Sequence, residues 1–215
     1  LIRLKELDED NIKSTVLGGQ SIAQTAMAVE NEIKLCPVLN LIRQEYFSQC
    51  DNYVLALAQK VGILKSNAAN TGKGSLNLSI HTEMSYFELG GLKLLFLPCE
   101  LFPELAYGGY LDADCSAEGK SPDINPAPLL RIAEDDNMLI FCLANDFTGY
   151  VVPPNDFYLN PKEPYINGGR DRLDRRHYEE TNSLGPETAP IIANVFADIM
   201  NTINKTKTEA EKAIK

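Results

Sequence analysis

The sequence is poor in the side chains that usually hold a metal or a nucleic acid. Its five cysteines, at positions 36, 50, 99, 115 and 142, include no Cys-x-x-Cys pair, which argues against a thiolate zinc site or a thioredoxin-type motif. Only two histidines are present, His81 and His177. Basic residues are outnumbered, 20 against 30 acidic, and the formal net charge of -10 gives a field that repels phosphate backbones and anionic membrane surfaces. No nucleic-acid partner is expected. No stretch approaches the roughly 20 consecutive apolar residues that span a bilayer, and the opening LIRLKELDED is too charged for a signal-peptide core. A Gly-Lys-Gly occurs within the polar turn region Lys65–Gly74, but the phosphate-loop pattern is not met and no apolar strand runs into it. Internal repeats and low-complexity segments are absent.

What remains is an ordinary core-forming chain of 215 residues, 44% of them hydrophobic. Helical spacing of Ile22, Ala26, Val29 and Ile33 predicts an amphipathic helix over Ser14–Lys34, ended by Cys36-Pro37. A second helix is expected from Asp51 to Val61, with Val54, Leu57, Ala58 and Val61 on one side. Alternation from Leu76 to Tyr86 predicts a half-buried strand, and Gly90-Gly91 a tight hairpin into a strand over Leu92–Leu97. His81 falls on the polar side of that alternation, as a surface or edge residue. A short helix with proline in its first turn follows at Leu101–Leu105, then an irregular connection from Ala106 to Pro128 and a helical piece at Leu129–Ala133. Gly185-Pro186-Glu187 opens a last helix whose stripe Ile191, Ile192, Val195, Phe196, Ile199 and Ile203 faces a core. The fold class is therefore mixed α/β, a β-sheet core with packed helices. A Cys36–Cys50 disulfide and buried free thiols are equally compatible with the spacing. The sequons Asn77-Leu-Ser and Asn204-Lys-Thr occur about as often as chance allows and do not establish secretion.

Chemistry is expected where strands end. Met138–Leu143 is an apolar run of strand length, expected as a buried central strand, that stops at Ala144-Asn145-Asp146 and leads to Gly149-Tyr150. Leu92–Leu97 likewise ends in Pro98-Cys99-Glu100. Two such strands can aim Glu100 and Tyr150 at one point. Read by itself, Glu100 either stabilises the following helix by its charge or ligates a metal. Asn145 and Asp146 are expected to shape the strand end through local side-chain to backbone bonds. Residues 151–185 hold four prolines and the turn Asn167-Gly168-Gly169, as a long loop or lid would. Their charged run Arg170–Glu180 alternates in sign, as a solvated, internally paired face does.

Three segments in order, LFLPCELFPEL around Glu100, CLANDFTGYVVPPNDF around Tyr150 and HYEETNSLGPETAP around Tyr178, resemble the second half of the catalytic domain of neutral (non-lysosomal) ceramidases. The resemblance covers roughly Glu83 to Met200. It implies that residues 1–215 are the C-terminal portion of a single ceramidase-like domain whose N-terminal portion lies outside this chain. It further implies that Glu100 and Tyr150 are zinc ligands and that Tyr178 lies beside the substrate's amide. The family usually has Pro-Gly-Glu in the first segment, where this chain has Cys99 in place of the glycine. Its two zinc-binding histidines lie upstream and have no counterpart here.

The implied activity is that of a zinc-dependent amide hydrolase, cleaving the N-acyl bond of ceramide or a related lipid amide with Zn2+ as cofactor. Tyr178 would donate to the developing oxyanion, and His177 would serve either as proton donor to the leaving amine or as a surface histidine in the charged run. The implied partners are the lipid amide and the N-terminal portion of the same protein, with an oligomer left open. The implied location is extracellular, periplasmic or at a membrane surface. The alternative is a non-catalytic structural or binding protein that keeps a ceramidase-like fold.

Overall fold

The structure, a computed structural model, describes residues 9–30, 34–35 and 39–214. It divides into two units, residues 1–36 and 37–215. The first contains the helix α1 (Glu9–Met27), which starts before the expected Ser14 and stops well short of Lys34. Its apolar residues Ile12, Leu17 and Ile22 stay exposed. The expected stop at Cys36-Pro37, and with it any pairing of Cys36, lies outside the described residues; Cys50 is a buried thiol.

The second unit is built around a mixed five-stranded sheet, in accord with the α/β expectation. In chain order it comprises β1 (Leu39–Gln49), α2 (Tyr53–Lys60), β2 (Ala68–Asn70), β3 (Leu78–Leu89), β4 (Leu92–Phe96), β5 (Glu100–Leu101), α3 (Pro103–Tyr107) and α4 (Leu129–Ala133). These are followed by β6 (Leu139–Phe141), β7 (Tyr150–Val151), β8 (Gly169–Arg170), β9 (Arg176–His177) and α5 (Thr188–Ile214). The sheet order is β1-β3-β4-β6, with β2 paired to the start of β3. β1 and β3 are antiparallel over their whole lengths, from Leu39 opposite Leu89 to Gln49 opposite Ser79. The β3–β4 turn is the two-residue Gly90-Gly91 hairpin, with Leu89 opposite Leu92 and both glycines at positive φ, 56° and 96°, where a side chain would be strained.

Several expectations are corrected here. β1 was not foreseen, although it makes the longest ladder among the described residues. Its open face carries Leu39, Leu41 and Phe47 beside Arg43 and Glu45, and Gln44 is exposed although its pair partner Met84 is buried, so no clean alternation marks the strand. Part of the Lys65–Gly74 turn region is the strand β2. The run Met138–Leu143 yields only three strand residues, and β6 is the outer strand of the sheet rather than a buried central one: Leu139 is 48% and Phe141 46% exposed. In α2 the inward residue is Ala56, while Leu57 and Val61 face water. Asn52 caps that helix, accepting from the Val54 and Leu55 N–H groups, and is itself fully buried.

The core lies between one face of the sheet and α5. Ile42, Tyr86, Leu95 and Ile140 stand opposite one another across β1, β3, β4 and β6. Ile192, Phe196, Ile199 and Ile203 on α5 meet that face, with the rings of Phe196 and Tyr86 6.1 Å apart. Each such side chain contributes about 1.5–3 kcal/mol by leaving water. The helical stripe expected over Ile191–Ile203 is thus the one that packs.

Candidate functional site

The two strand-to-loop segments run side by side beyond the sheet. Leu97 N–H donates to Phe141 O, Ala144 N–H to Leu97 O, Thr148 N–H to Pro98 O and Glu100 N–H to Gly149 O. This continuation of the parallel β4–β6 pairing creates β5 and β7, in which Glu100 is directly opposite Tyr150 and Leu101 opposite Val151. Neighbouring strands lie about 4.8 Å apart, so the carboxylate and the phenol start from adjacent backbones. Cys99 has no positive φ and its thiol is fully buried in the core, so this backbone does not need the glycine of the resembled motif.

Gly149 brings the third residue in. It sits at φ +87°, and a Cβ placed there would lie 2.0 Å from the carbonyl oxygen of Asn182. Only a residue without a side chain lets the 3-10 turn Glu179–Asn182 come this close. Tyr178, just before that turn, reaches Tyr150: the two hydroxyls are 3.4 Å apart and the rings meet edge to face with centroids 5.8 Å apart. Tyr150 also packs against the small cluster of Val152, Phe157 and Tyr165, which fixes its ring from behind. Glu100 and Tyr178 are exposed, whereas Tyr150 is half-buried. The Tyr150 phenol is pushed up to about 12, first by the hydrogen bond to Tyr178, then by desolvation, then by the Glu100 carboxylate. A cation between the two oxygens would reverse the last effect.

Glu100, Tyr150 and Tyr178 are therefore brought together, and His177 is not. Its side chain is buried, with Nδ1 2.8 Å from Glu180 Oε1 and Nε2 3.1 Å from Asp171 Oδ2. Both ring nitrogens are engaged, so neither the proton-donor role nor the surface placement expected of it matches this geometry. The run Arg170–Glu180 is internally paired as expected, Arg170 with Asp174 and Arg175 with Asp171, and mostly exposed, but three of its residues, Asp171, His177 and Glu180, are not solvated. Asp171 and Glu180 are buried, and Arg175 bridges Asp156 and Asp171 at 2.7 Å each. Residues 151–185 pack accordingly, holding the β8–β9 hairpin and a buried core of their own. The His-x-x-Glu spacing of His177 and Glu180 was the available sequence signal. Asp171 had none, because a fold-back hairpin is needed to bring it near.

Asn145 and Asp146 act over a longer range than expected. Asn145 Nδ2 donates to Glu83 Oε1 at 2.9 Å and Thr82 Oγ1 to Asp146 Oδ2 at 3.0 Å, so both tie the loop to β3. One bond is local, from the Phe147 N–H to Asp146 Oδ1. Leu143 and Asn145 both adopt positive φ, 57° and 67°, a concentration of uncommon backbone next to the site. His81 is partly buried and stacks on Phe47. Beside Gly149 and Asn182 opens a mainly apolar cleft of about 340 Å³, walled by Leu55, Ile80, Phe147 and Leu184 with Lys65 at its lining.

Two oxygen donors make half of a tetrahedral zinc set, and among the described residues no three His, Cys, Asp or Glu side chains lie close enough to hold a metal. Carboxylate and phenol oxygens are donor types that a zinc ion accepts. No family model, curated protein or solved structure matches the chain.

Proposed function

We propose that the chain is part of a zinc-dependent amide hydrolase of the neutral ceramidase type, acting on the N-acyl bond of ceramide or a related lipid amide. The observation that carries this reading is the pairing of Glu100 with Tyr150 on adjacent strands, with the Tyr178 hydroxyl 3.4 Å from that of Tyr150. Three residues far apart in sequence, singled out by their motifs, share one corner of the fold. Glu100 and Tyr150 would hold the ion, and two imidazoles from polypeptide outside this chain would complete it. Bound zinc supplies Lewis acidity and a nucleophile at neutral pH. Tyr178 would donate its hydroxyl proton in a hydrogen bond to a carbonyl oxygen gaining charge. The apolar cleft next to Gly149 suits an acyl chain.

In this reading Glu180 and Asp171, through His177, position the Tyr178 turn and take no proton from substrate. The engagement of both His177 nitrogens is also what favours the second reading, a binding or structural protein that keeps the fold without turnover. Metal analysis of the intact gene product separates the two. Near one equivalent of zinc is expected after purification without chelator, falling at least tenfold in Tyr150→Phe while circular dichroism is unchanged. Less than a tenth of an equivalent in the unaltered protein, or full zinc in the variant, rejects the assignment.

A further inference from the structure

β1 is an outer strand of the sheet, and among the described residues no strand pairs with its free edge. Its register with β3, from Leu39 opposite Leu89 to Gln49 opposite Ser79, decides which backbone groups that edge presents. Just past the ladder the Cys50 N–H donates to Leu78 O, and hydrogen-bonded pairs alternate along an antiparallel ladder. The even-numbered residues of β1 therefore turn their N–H and C=O groups toward β3. The His81 N–H, which leaves β3 on its other side for Asn67 O, obeys the same alternation. The odd-numbered residues Leu39, Leu41, Arg43, Glu45, Phe47 and Gln49 point theirs outward. One of these groups, Glu45 O, is met by a side chain of the strand itself, Gln44 Nε2 at 2.9 Å.

Outward N–H and C=O groups in a row are a template for another strand, and mid-strand charges commonly guard such an edge. Here the guards are Arg43 and Glu45, opposite in sign and symmetric about Gln44. We propose that β1 pairs antiparallel with β1 of a second copy of the chain, across a two-fold axis at Gln44, joining two sheets into one. Backbone geometry and charge leave this register alone. An axis between two residues sets outward groups against inward ones, so no ladder forms. An axis at Arg43 or at Glu45 sets that residue against its own like charge. With the axis at Gln44, Arg43 of each copy stands opposite Glu45 of the other, and Leu41 opposite Phe47. On the other face Ile42 stands opposite Tyr46. Opposite charges and apolar–aromatic pairs are what stabilise a ladder. Leu41 and Phe47, 54% and 49% exposed, gain cover that one chain does not give them. The net charge of -10 on each copy opposes this weakly, because exposed charges more than about 8 Å apart are screened at physiological salt. Side chains opposed across a ladder are only about 5 Å apart.

The 11 residues of β1 span about 37 Å, and an edge about 10 Å thick gives roughly 370 Å² per copy. Roughly 750 Å² in all, with about twelve backbone hydrogen bonds, is the size of a weak association. A dissociation constant of about 10–100 μM is expected. The inference is independent of the metal reading above.

Sedimentation velocity of the 215-residue chain over about 1–500 μM should show monomer passing to dimer. Arg43→Glu and Glu45→Arg each oppose like charges on both sides of the axis, and each should weaken the dimer about tenfold or more. Mixed in equal amounts, the two variants should recover it, because every opposed pair in the mixed dimer is then of opposite sign. A substitution that merely disturbed each copy would give no recovery. In the unaltered chain, amide exchange at Arg43, Glu45 and Phe47 should slow as concentration rises, a readout that needs no variant. A chain still monomeric at about 500 μM overturns the inference. So do single variants that dimerise as well as the unaltered chain, a mixture that stays monomeric, or a dimer in which those three amides exchange as fast as in the monomer.

Discussion

Replacing His177 by asparagine removes a side chain that links Asp171, at the tip of the β8–β9 hairpin, to Glu180, in the turn beside Gly149. Burial alone would lower the imidazole's pKa, but the carboxylates of Glu180 and Asp171 outweigh it and hold the pKa above its ordinary value. Asp171 is raised by its own burial, yet the Arg175 backbone N–H and guanidinium, with His177 and the Leu173 N–H, bring it well below the usual carboxylate range. The carboxylate therefore stays ionised across the neutral range and the imidazole does the titrating. A group whose pKa is higher in the folded than in the unfolded chain contributes its full stabilisation below the unfolded value, near 6.5, and loses it as pH rises through the folded value. Taking one member from a buried ion cluster costs about 3–5 kcal/mol, because the remaining charges stay buried without their partner. For a unit of this size that is roughly 6–20 °C in melting temperature. Thermal unfolding followed by circular dichroism should show this deficit at pH 6 and a smaller one at pH 9, where the unaltered protein has itself lost the contribution. A deficit under about 1 kcal/mol at pH 6, or one that widens toward pH 9, would refute the reasoning.

Gly149→Ala should destabilise by about 3 kcal/mol or more, since the methyl group meets the Asn182 carbonyl at a φ that alanine rarely adopts. Urea denaturation measures it, and an unchanged midpoint would mean that the Tyr178 turn is not held by this contact. Phe196→Ala should cost about 3–5 kcal/mol, as the ring is fully buried against Tyr86 at the centre of the core. A loss under about 1 kcal/mol would show that α5 does not pack on the sheet as described.

Local pattern alone determined the elements that are periodic and bounded by strong punctuation. The α5 stripe from Ile191 to Ile203, the Gly90-Gly91 hairpin and the helical piece Leu129–Ala133 were legible because each needs only its own residues to state its period or its turn. Glu100 and Tyr150 were legible as positions just past apolar runs, whereas Tyr178, which follows a charged run, was singled out only by the resemblance. Tertiary structure decided the rest. β1 carries apolar and charged residues on the same open face, Leu41 and Phe47 beside Arg43 and Glu45, so its sequence does not alternate cleanly. β6 reads as a central strand yet lies at the edge, because the order of strands in a sheet is set by which ladders close and leaves no trace in any single strand. The burial of His177 depends on a hairpin folding Asp171 back over six residues and on Glu180 arriving from the following turn. That Glu100 and Tyr150 face each other follows from β4 and β6 pairing in parallel and continuing past their ends. A one-residue slip in that register would separate them, and no residue type or spacing encodes the register by itself.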